Sequence, residues 1–385
     1  MDTTVKPGSV DPPQPVEDQD PLHEAMPRVQ LTRRNVAGST VFVLSAVAFL
    51  YFVLPQVAGL EDTWKRIDRG DPWWLAVALL FTVLSFGGYV LLFQGIFVRA
   101  GSRIDLRASY QITMAGLAAT RLFAAGGAGG IALTAWALRR SGMPRRTVAD
   151  KSLAFLVLTY AVYMGTLVVI GLGLYSGVLP GPAPFAITVL PAIFAAACIG
   201  IALALSRVPP DLQRRLEGFA RQGGRMARLA QRLSTAPAAF SAGIREALCH
   251  VRERDPALLG AIAYWGFNIG VLWACFHAFA GHGPTWPVVI MAYFVGFFGN
   301  LLPLPAGIGG VDGGMIGAFA AFGVDASLAI VAVLTYRAFA FWLPTIPGAI
   351  AYFQLRRTVA RWDSERAGPG EAPAGPRMRA SSAHS

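Results

Sequence analysis

Residues 296–314 read GFFGNLLPLPAGIGGVDGG, seven glycines and two prolines set inside an apolar run that extends from 287 to 322. Such a run is longer than the ~20 residues that cross the hydrocarbon of a bilayer. Pro303 and Pro305 lack the N–H that a helix interior requires, so the run must break midway. The stretch therefore predicts two short helices joined by a loop rather than one span. The segment 109–138 has the same character, with Gly116, Gly126, Gly127, Gly129 and Gly130 interrupting an over-long apolar run.

Around these two segments lie apolar runs at 41–60, 73–98, 152–178, 185–205, 258–280 and 326–355, each near or above span length. Over the whole chain 54% of residues are hydrophobic, only 14% are charged, and the mean hydropathy is +0.49. A soluble core cannot absorb that much apolar surface. The expected fold is all-α: a polytopic membrane bundle of about six full spans plus two broken, re-entrant hairpins. Residues 1–37 and 359–385 are polar and Pro-rich and are expected to be disordered cytoplasmic tails, leaving 38–358 as the transmembrane domain.

The net charge of +11 does not signal nucleic acid, because the basic residues sit in short stretches between apolar runs. Three lysines against thirty arginines fit either selection for phosphate-gripping guanidinium groups or genome composition. Cys198, Cys249 and Cys275 are isolated, and no His or Cys lies at metal-ligand spacing. No metal, cofactor or catalytic constellation is expected.

Arginine placement orders the topology. Arg28, Arg33 and Arg34 precede the first run; Arg99, Arg103 and Arg107 precede the first broken segment, and Arg139, Arg140, Arg145 and Arg146 follow it. Basic flanks on both sides favour a hairpin that enters and returns. With both termini in the cytoplasm of a plasma or inner membrane, every strongly basic loop then lies inside, including Arg356, Arg357 and Arg361. The loop 206–257 joins that side as a basic amphipathic segment suited to anionic head groups, although ordinary positive-inside bias explains its charge equally.

The broken segments also repeat. Gly127-Ala-Gly-Gly130 matches Gly307-Ile-Gly-Gly310, and Leu158-Thr-Tyr160 matches Leu334-Thr-Tyr336. In the expected topology the first unit starts outside and the second inside, an inverted pair of the kind found in secondary transporters.

Two charges fall at membrane depth near the second break, Asp312 and Arg337, and each is expensive there unless paired. Their natural partners are each other, either as a cavity-lining pair that meets a lipid phosphate or as a structural salt bridge. Arg121, near the tip of the first segment, has no acidic neighbour; an anionic ligand, a helix-terminal carbonyl or Asp312 would each satisfy it. Gly127, Gly129, Gly130, Gly307, Gly309 and Gly310, with Pro303 and Pro305, either present backbone amides to an anion or allow close helix packing. Asp150 and Lys151 are expected to snorkel at the interface, His277 to be a hydrogen-bonded structural residue or a proton relay, and Pro344 and Pro347 to kink the last span.

The Pro303-Leu-Pro-Ala-Gly-Ile-Gly-Gly-Val-Asp312 stretch, with Gly323, Tyr336-Arg337 and Pro347-Gly348, resembles the transmembrane (flippase) region of lysylphosphatidylglycerol synthases in its stand-alone form, over roughly 38–358. Asp312 stands where that family has Glu, and Ala306 replaces a glycine. In the first repeat, Ile131, Ala132, Thr159 and Tyr160 stand where the family often carries acidic residues and a Glu-Arg pair. The resemblance implies movement of a phospholipid, glycolipid or isoprenoid-linked lipid between leaflets, with anionic head groups as partners. The tail beyond 358 is too short for an aminoacyl-transferase fold, so no lysyl transfer is expected. The competing reading is a non-catalytic scaffold for a separately encoded envelope lipid or glycosyl transferase.

Overall fold

The computed structural model describes residues 70–98, 103–122, 128–207, 241, 243–253, 255–280, 283–301 and 309–367. Among them the chain is helical, without strands. The elements are α1 (Pro72–Phe97), α2 (Leu106–Leu122), α3 (Ala128–Arg140), α4 (Arg145–Tyr175), α5 (Phe185–Ser206), α6 (Pro256–Ala280), α7 (Trp286–Phe297) with a 3-10 turn (Phe298–Leu301), α8 (Gly310–Ala321), α9 (Ala326–Arg337), a π-helical turn (Ala338–Trp342) and α10 (Thr345–Ala367).

Five helices are long and apolar enough to cross a membrane: α1, α4, α5, α6, and the composite rod α9–π–α10. Their outward faces carry exposed Leu79, Leu80, Val83, Val169, Ile193 and Phe353, as expected where lipid replaces water as solvent. These five match five of the six expected spans; the run 41–60 lies outside the described residues, as do the expected tail 1–37 and residues 208–240 of the expected basic amphipathic loop.

The two interrupted segments each form a pair of short helices. At 1.5 Å per residue, α7 and α8 measure about 18 Å and α3 about 20 Å, less than the ~30 Å hydrocarbon. Within each pair glycines make the contact. A Cβ on Gly130 would strike the Gly116 carbonyl and Thr120 Oγ1, and a Cβ on Gly299 would strike the backbone of Gly310. Gly116 and Gly130 stand in the first unit where Gly296 and Gly310 stand in the second, so the repeat in the sequence is a repeat of packing.

The units are antiparallel. Glycines again draw α1 and α6 together, with Gly88 against Ala263 and Tyr264, and Gly95 against Ala257, while the Asp71 amide at the start of α1 donates to Ala278 O at the end of α6 (2.9 Å). α10 runs along α2: Arg103 Nη1 donates to Trp362 O (3.2 Å), Thr358 Oγ1 to Gln111 Oε1 (2.8 Å), and Gly348 packs on Ala118 and Met114. Arg140 pairs with Asp363 (3.1 Å), so both outer ends of the first helix pair lie beside the end of α10. The second pair opens the other way: Phe319 of α8 meets Phe276 edge-to-face near the end of α6 (4.6 Å between centroids), and Thr285, before α7, donates to Pro180 O (2.9 Å).

Two expectations change in detail, and for His277 the structure shows the hydrogen-bonded arrangement, one of the two expected for it. α10 continues to Ala367, past the boundary expected at 358, because Val359 and Trp362 are buried and Asp363 is held by Arg140. Lys151 does not snorkel: it is 5% exposed and donates to the Ile96 carbonyl at the end of α1, where helical N–H partners run out. His277 is structural, its Nδ1 facing Trp273 O (3.0 Å) and its ring lodged against Trp74 and Trp273.

Candidate functional site

The last long helix is broken where the two short-helix pairs converge on it. Pro344 has no N–H to offer the Ala340 carbonyl four residues back, and the chain widens into the π-helical turn, with the Leu343 amide donating instead to Ala338 O (2.9 Å). Interruptions of this kind inside helices gather at functional sites. Carbonyls loosened there need other donors, since hydrocarbon supplies none.

Arg121, in the last turn of α2, supplies them. Its Nη2 donates to Ala340 O (3.0 Å), and its Nη1 donates to Phe341 O and lies 3.5 Å from Thr345 Oγ1. Of the alternatives open in the sequence, helix carbonyls hold Arg121, not Asp312. The Thr345 hydroxyl also donates to Phe341 O (2.9 Å).

From the other pair, Asp312 in the first turn of α8 reaches the same break. It is 0% exposed, and its Oδ1 lies 2.5 Å from Arg337 Nε. This is an ion pair rather than an aligned hydrogen bond, because Oδ1 accepts none. Its Oδ2 accepts from the Gly309 amide (3.0 Å), half of a capping box that fixes the carboxylate on the helix N-terminus. Gly309 has φ 84°, a left-handed conformation that glycine adopts without strain. A carboxylate there also meets the positive end of the α8 dipole.

Among the described residues the Arg337 guanidinium meets the carboxylate through Nε. Its Nη2 is buried without a hydrogen-bond partner, in a residue 8% exposed. Both guanidinium groups lie over the Phe341 ring, Arg337 at 4.3 Å and Arg121 at 4.6 Å from its centroid, and they repel each other. One carboxylate set against two guanidinium groups leaves one positive charge over. Beside them Tyr336 donates to Tyr293 Oη (3.2 Å).

The structure therefore unites Asp312, Arg337 and Arg121, with Gly309 and Gly310 at the start of α8. Gly130 serves the α2–α3 contact as a packing glycine, and Gly129 precedes it in the first turn of α3. Gly127, Gly307, Pro303 and Pro305 lie outside the described residues. The sequence reading missed Phe341 and Thr345, which an apolar span disguises; the signal was Pro344, one helical turn beyond a carbonyl it could not satisfy.

Comparison with known proteins fits this architecture. The family model of the lysylphosphatidylglycerol synthase transmembrane region matches residues 36–348. A UPF0104 membrane protein of Methanothermobacter thermautotrophicus is 25% identical over 344 residues, covering 83% of this chain and 93% of that protein. The matched region takes in both short-helix pairs and the last long helix as far as Gly348, and the chain belongs to the lysylphosphatidylglycerol synthase transmembrane-region family.

Proposed function

We propose that this protein moves a lipid with an anionic head group between membrane leaflets, and that the two short-helix pairs are re-entrant hairpins entering from opposite faces. The observation that carries this reading is the unpartnered, buried Nη2 of Arg337 at the break where the hairpins converge. A guanidinium buried at membrane depth is held at a cost of several kcal/mol unless a counter-charge completes it, and Asp312 engages one edge only. A lipid phosphate fits the remaining edge, since guanidinium groups bind phosphate through paired N–H donors.

In this reading Asp312 tunes the site. While it pairs with Arg337, the net positive charge is small and the hairpin is pinned to α9. When a phosphate takes up the free Arg337 donors, the attraction that holds Asp312 weakens, and α8 is freed to move relative to the broken rod. Arg121 holds the other hairpin to the same break through carbonyls, so the lipid meets two elements that can shift independently. The strongly basic loops would face the cytoplasm, consistent with their clustering at the end where Arg103, Arg140 and the α10 terminus meet.

The test is leaflet exchange of a fluorescent phospholipid in proteoliposomes, read as the fraction accessible to an added quencher. Wild-type protein should accelerate exchange, and Asp312→Asn and Arg337→Gln, each confirmed folded by thermal unfolding, should lower the rate at least about tenfold. Exchange unchanged by both substitutions overturns the proposal. No exchange with the wild type, together with a co-purifying envelope transferase, would establish the scaffold role instead.

A further inference from the structure

The inverted repeat sets two pseudo-equivalent places side by side, and they differ in chemistry. In the second unit the place beside Gly296 and Gly310 holds Asp312, Tyr336 and Arg337. In the first unit, on the alignment of Gly130 with Gly310 and Tyr160 with Tyr336, the corresponding charged positions are Ala132 and Ala161. Ala132 and Ala161 are exposed and do not fill the first unit as the ion pair fills the second; apart from them, the structure has a cavity of 140 Å³ between α1, α2, α3 and α4, bordered by Gly116 and Gly130.

Among the described residues its lining is uncharged and mostly apolar, with five hydroxyl-bearing side chains. Thr113, Thr120, Thr134, Ser152 and Tyr89 contribute oxygens, and none of the described lining residues carries a carboxyl, amine or guanidinium group. Thr113 and Thr120 donate to their own helix at Ser109 O and Gly116 O, leaving their oxygen lone pairs as acceptors. Thr134, Ser152 and Tyr89 make no hydrogen bond among the described residues, so their hydroxyls are free both to donate and to accept. Phe93, Phe97 and Phe155 add aromatic surface to the lining. The cavity opens to the outer surface beside Ile131 and Leu156, both exposed where lipid would lie.

We infer that this cavity is a binding site for the uncharged polyol part of a lipid head group, a glycosyl or glycerol moiety. This deepens the proposed lipid-transport reading and rests on it for the source of the ligand. Free hydroxyls recognise hydroxyls, flat aromatic walls accept the apolar faces of a sugar or glycerol chain, and the absence of charge disfavours an ionic group. The position fits as well: Thr120 adjoins Arg121 in the chain, and Arg121 interacts electrostatically with Tyr89. A head group with its phosphate near the two arginines has its polyol within reach of the hydroxyls.

The test uses purified full-length protein, titrated with short-chain phosphatidylglycerol, with a glucosyl diacylglycerol, and with phosphatidic acid, which has the phosphate but no polyol. Binding is read from the thermal unfolding midpoint. Phosphatidylglycerol, the glucosyl lipid or both should bind more tightly than phosphatidic acid, and the stronger of the two names the polyol. Thr134→Val/Ser152→Ala should weaken that binding about tenfold, the scale expected for losing one or two buried hydrogen bonds, with phosphatidic acid unaffected. Ser152→Leu, which fills the cavity, should abolish the polyol preference. A preference that survives both variants overturns the inference, as does binding of all three lipids with equal affinity. The readout separates from transport: a polyol preference lost in these variants supports the cavity even if no lipid exchange occurs, and exchange lost in Asp312→Asn with the preference unchanged by the cavity variants leaves transport standing and the cavity refuted.

Discussion

Asp312 is the residue on which most of the local order depends. Its two oxygens do different work, one closing the first turn of α8 on the Gly309 amide and the other facing Arg337. Replacing it by Ala leaves a buried guanidinium without its counter-charge, which typically destabilises by about 3–5 kcal/mol; thermal unfolding of the purified protein should show a clear loss. Asp312→Glu keeps the charge but must rearrange the capping contact, so it should retain measurable lipid exchange where Asp312→Asn does not. Asp255, outside the spans, offers a pH-dependent contact. Partial burial opposes its ionisation, but the Ala257 amide (2.8 Å) and His250 (2.8 Å) outweigh that and hold its carboxyl below the usual carboxylate range. A depressed carboxylate stabilises the fold above its unfolded pKa of about 3.9 and ceases to do so as pH falls through the lower folded value. The contribution of this cap to α6 should accordingly be present above the unfolded pKa and fade as pH falls below about pH 4. A pH series of unfolding midpoints, in which Asp255→Ala removes that part of the acid dependence, checks this.

At the scale of elements, the break in the last long helix and the glycine contacts of the short pairs are two separate devices. Pro344→Ala restores an N–H opposite Ala340 O, a carbonyl that Arg121 now holds. The rod should become more regular, Arg121 should lose a partner, and lipid exchange should fall while the unfolding midpoint does not; a variant that exchanges lipid at the wild-type rate would separate the break from function. The glycine contacts concern packing alone. Gly130→Ala places a methyl against Gly116 O and Thr120, and overpacking of this sort costs about 1–3 kcal/mol or more. Gly165 has open space around its Cβ position, so Gly165→Ala should leave stability unchanged and serves as the matched control.

For the whole molecule, the antiparallel pairing of α1 with α6 and of α2 with α10 makes the two units face opposite ways. The corresponding prediction is a labelling experiment. With Cys198 and Cys249 replaced by Ser and Cys275 left in the core, one accessible cysteine at Ser141, at the end carrying Arg140 and Asp363, and in a second variant one at Ala326, exposed at the start of α9, should react with a membrane-impermeant reagent from opposite sides. Reaction from the same side would remove the opposed hairpins and the alternating mechanism built on them.

Much of this was legible in the residues themselves. Hydropathy and length decide that the chain is a helical membrane protein, because backbone in hydrocarbon must satisfy its own hydrogen bonds. Proline and glycine decide where the long runs break, because one lacks a donor and the other lacks a side chain that would hold helices apart. The pairing of Asp312 with Arg337 also follows from sequence, since two opposite charges at membrane depth have few other partners. Only the tertiary structure decided that Arg121 caps carbonyls more than two hundred residues away, that Lys151 is buried against Ile96, and that α1, α2, α3 and α4 leave a cavity between them. Those contacts join elements far apart in the chain, and a long polar side chain has many acceptors within reach until packing selects one.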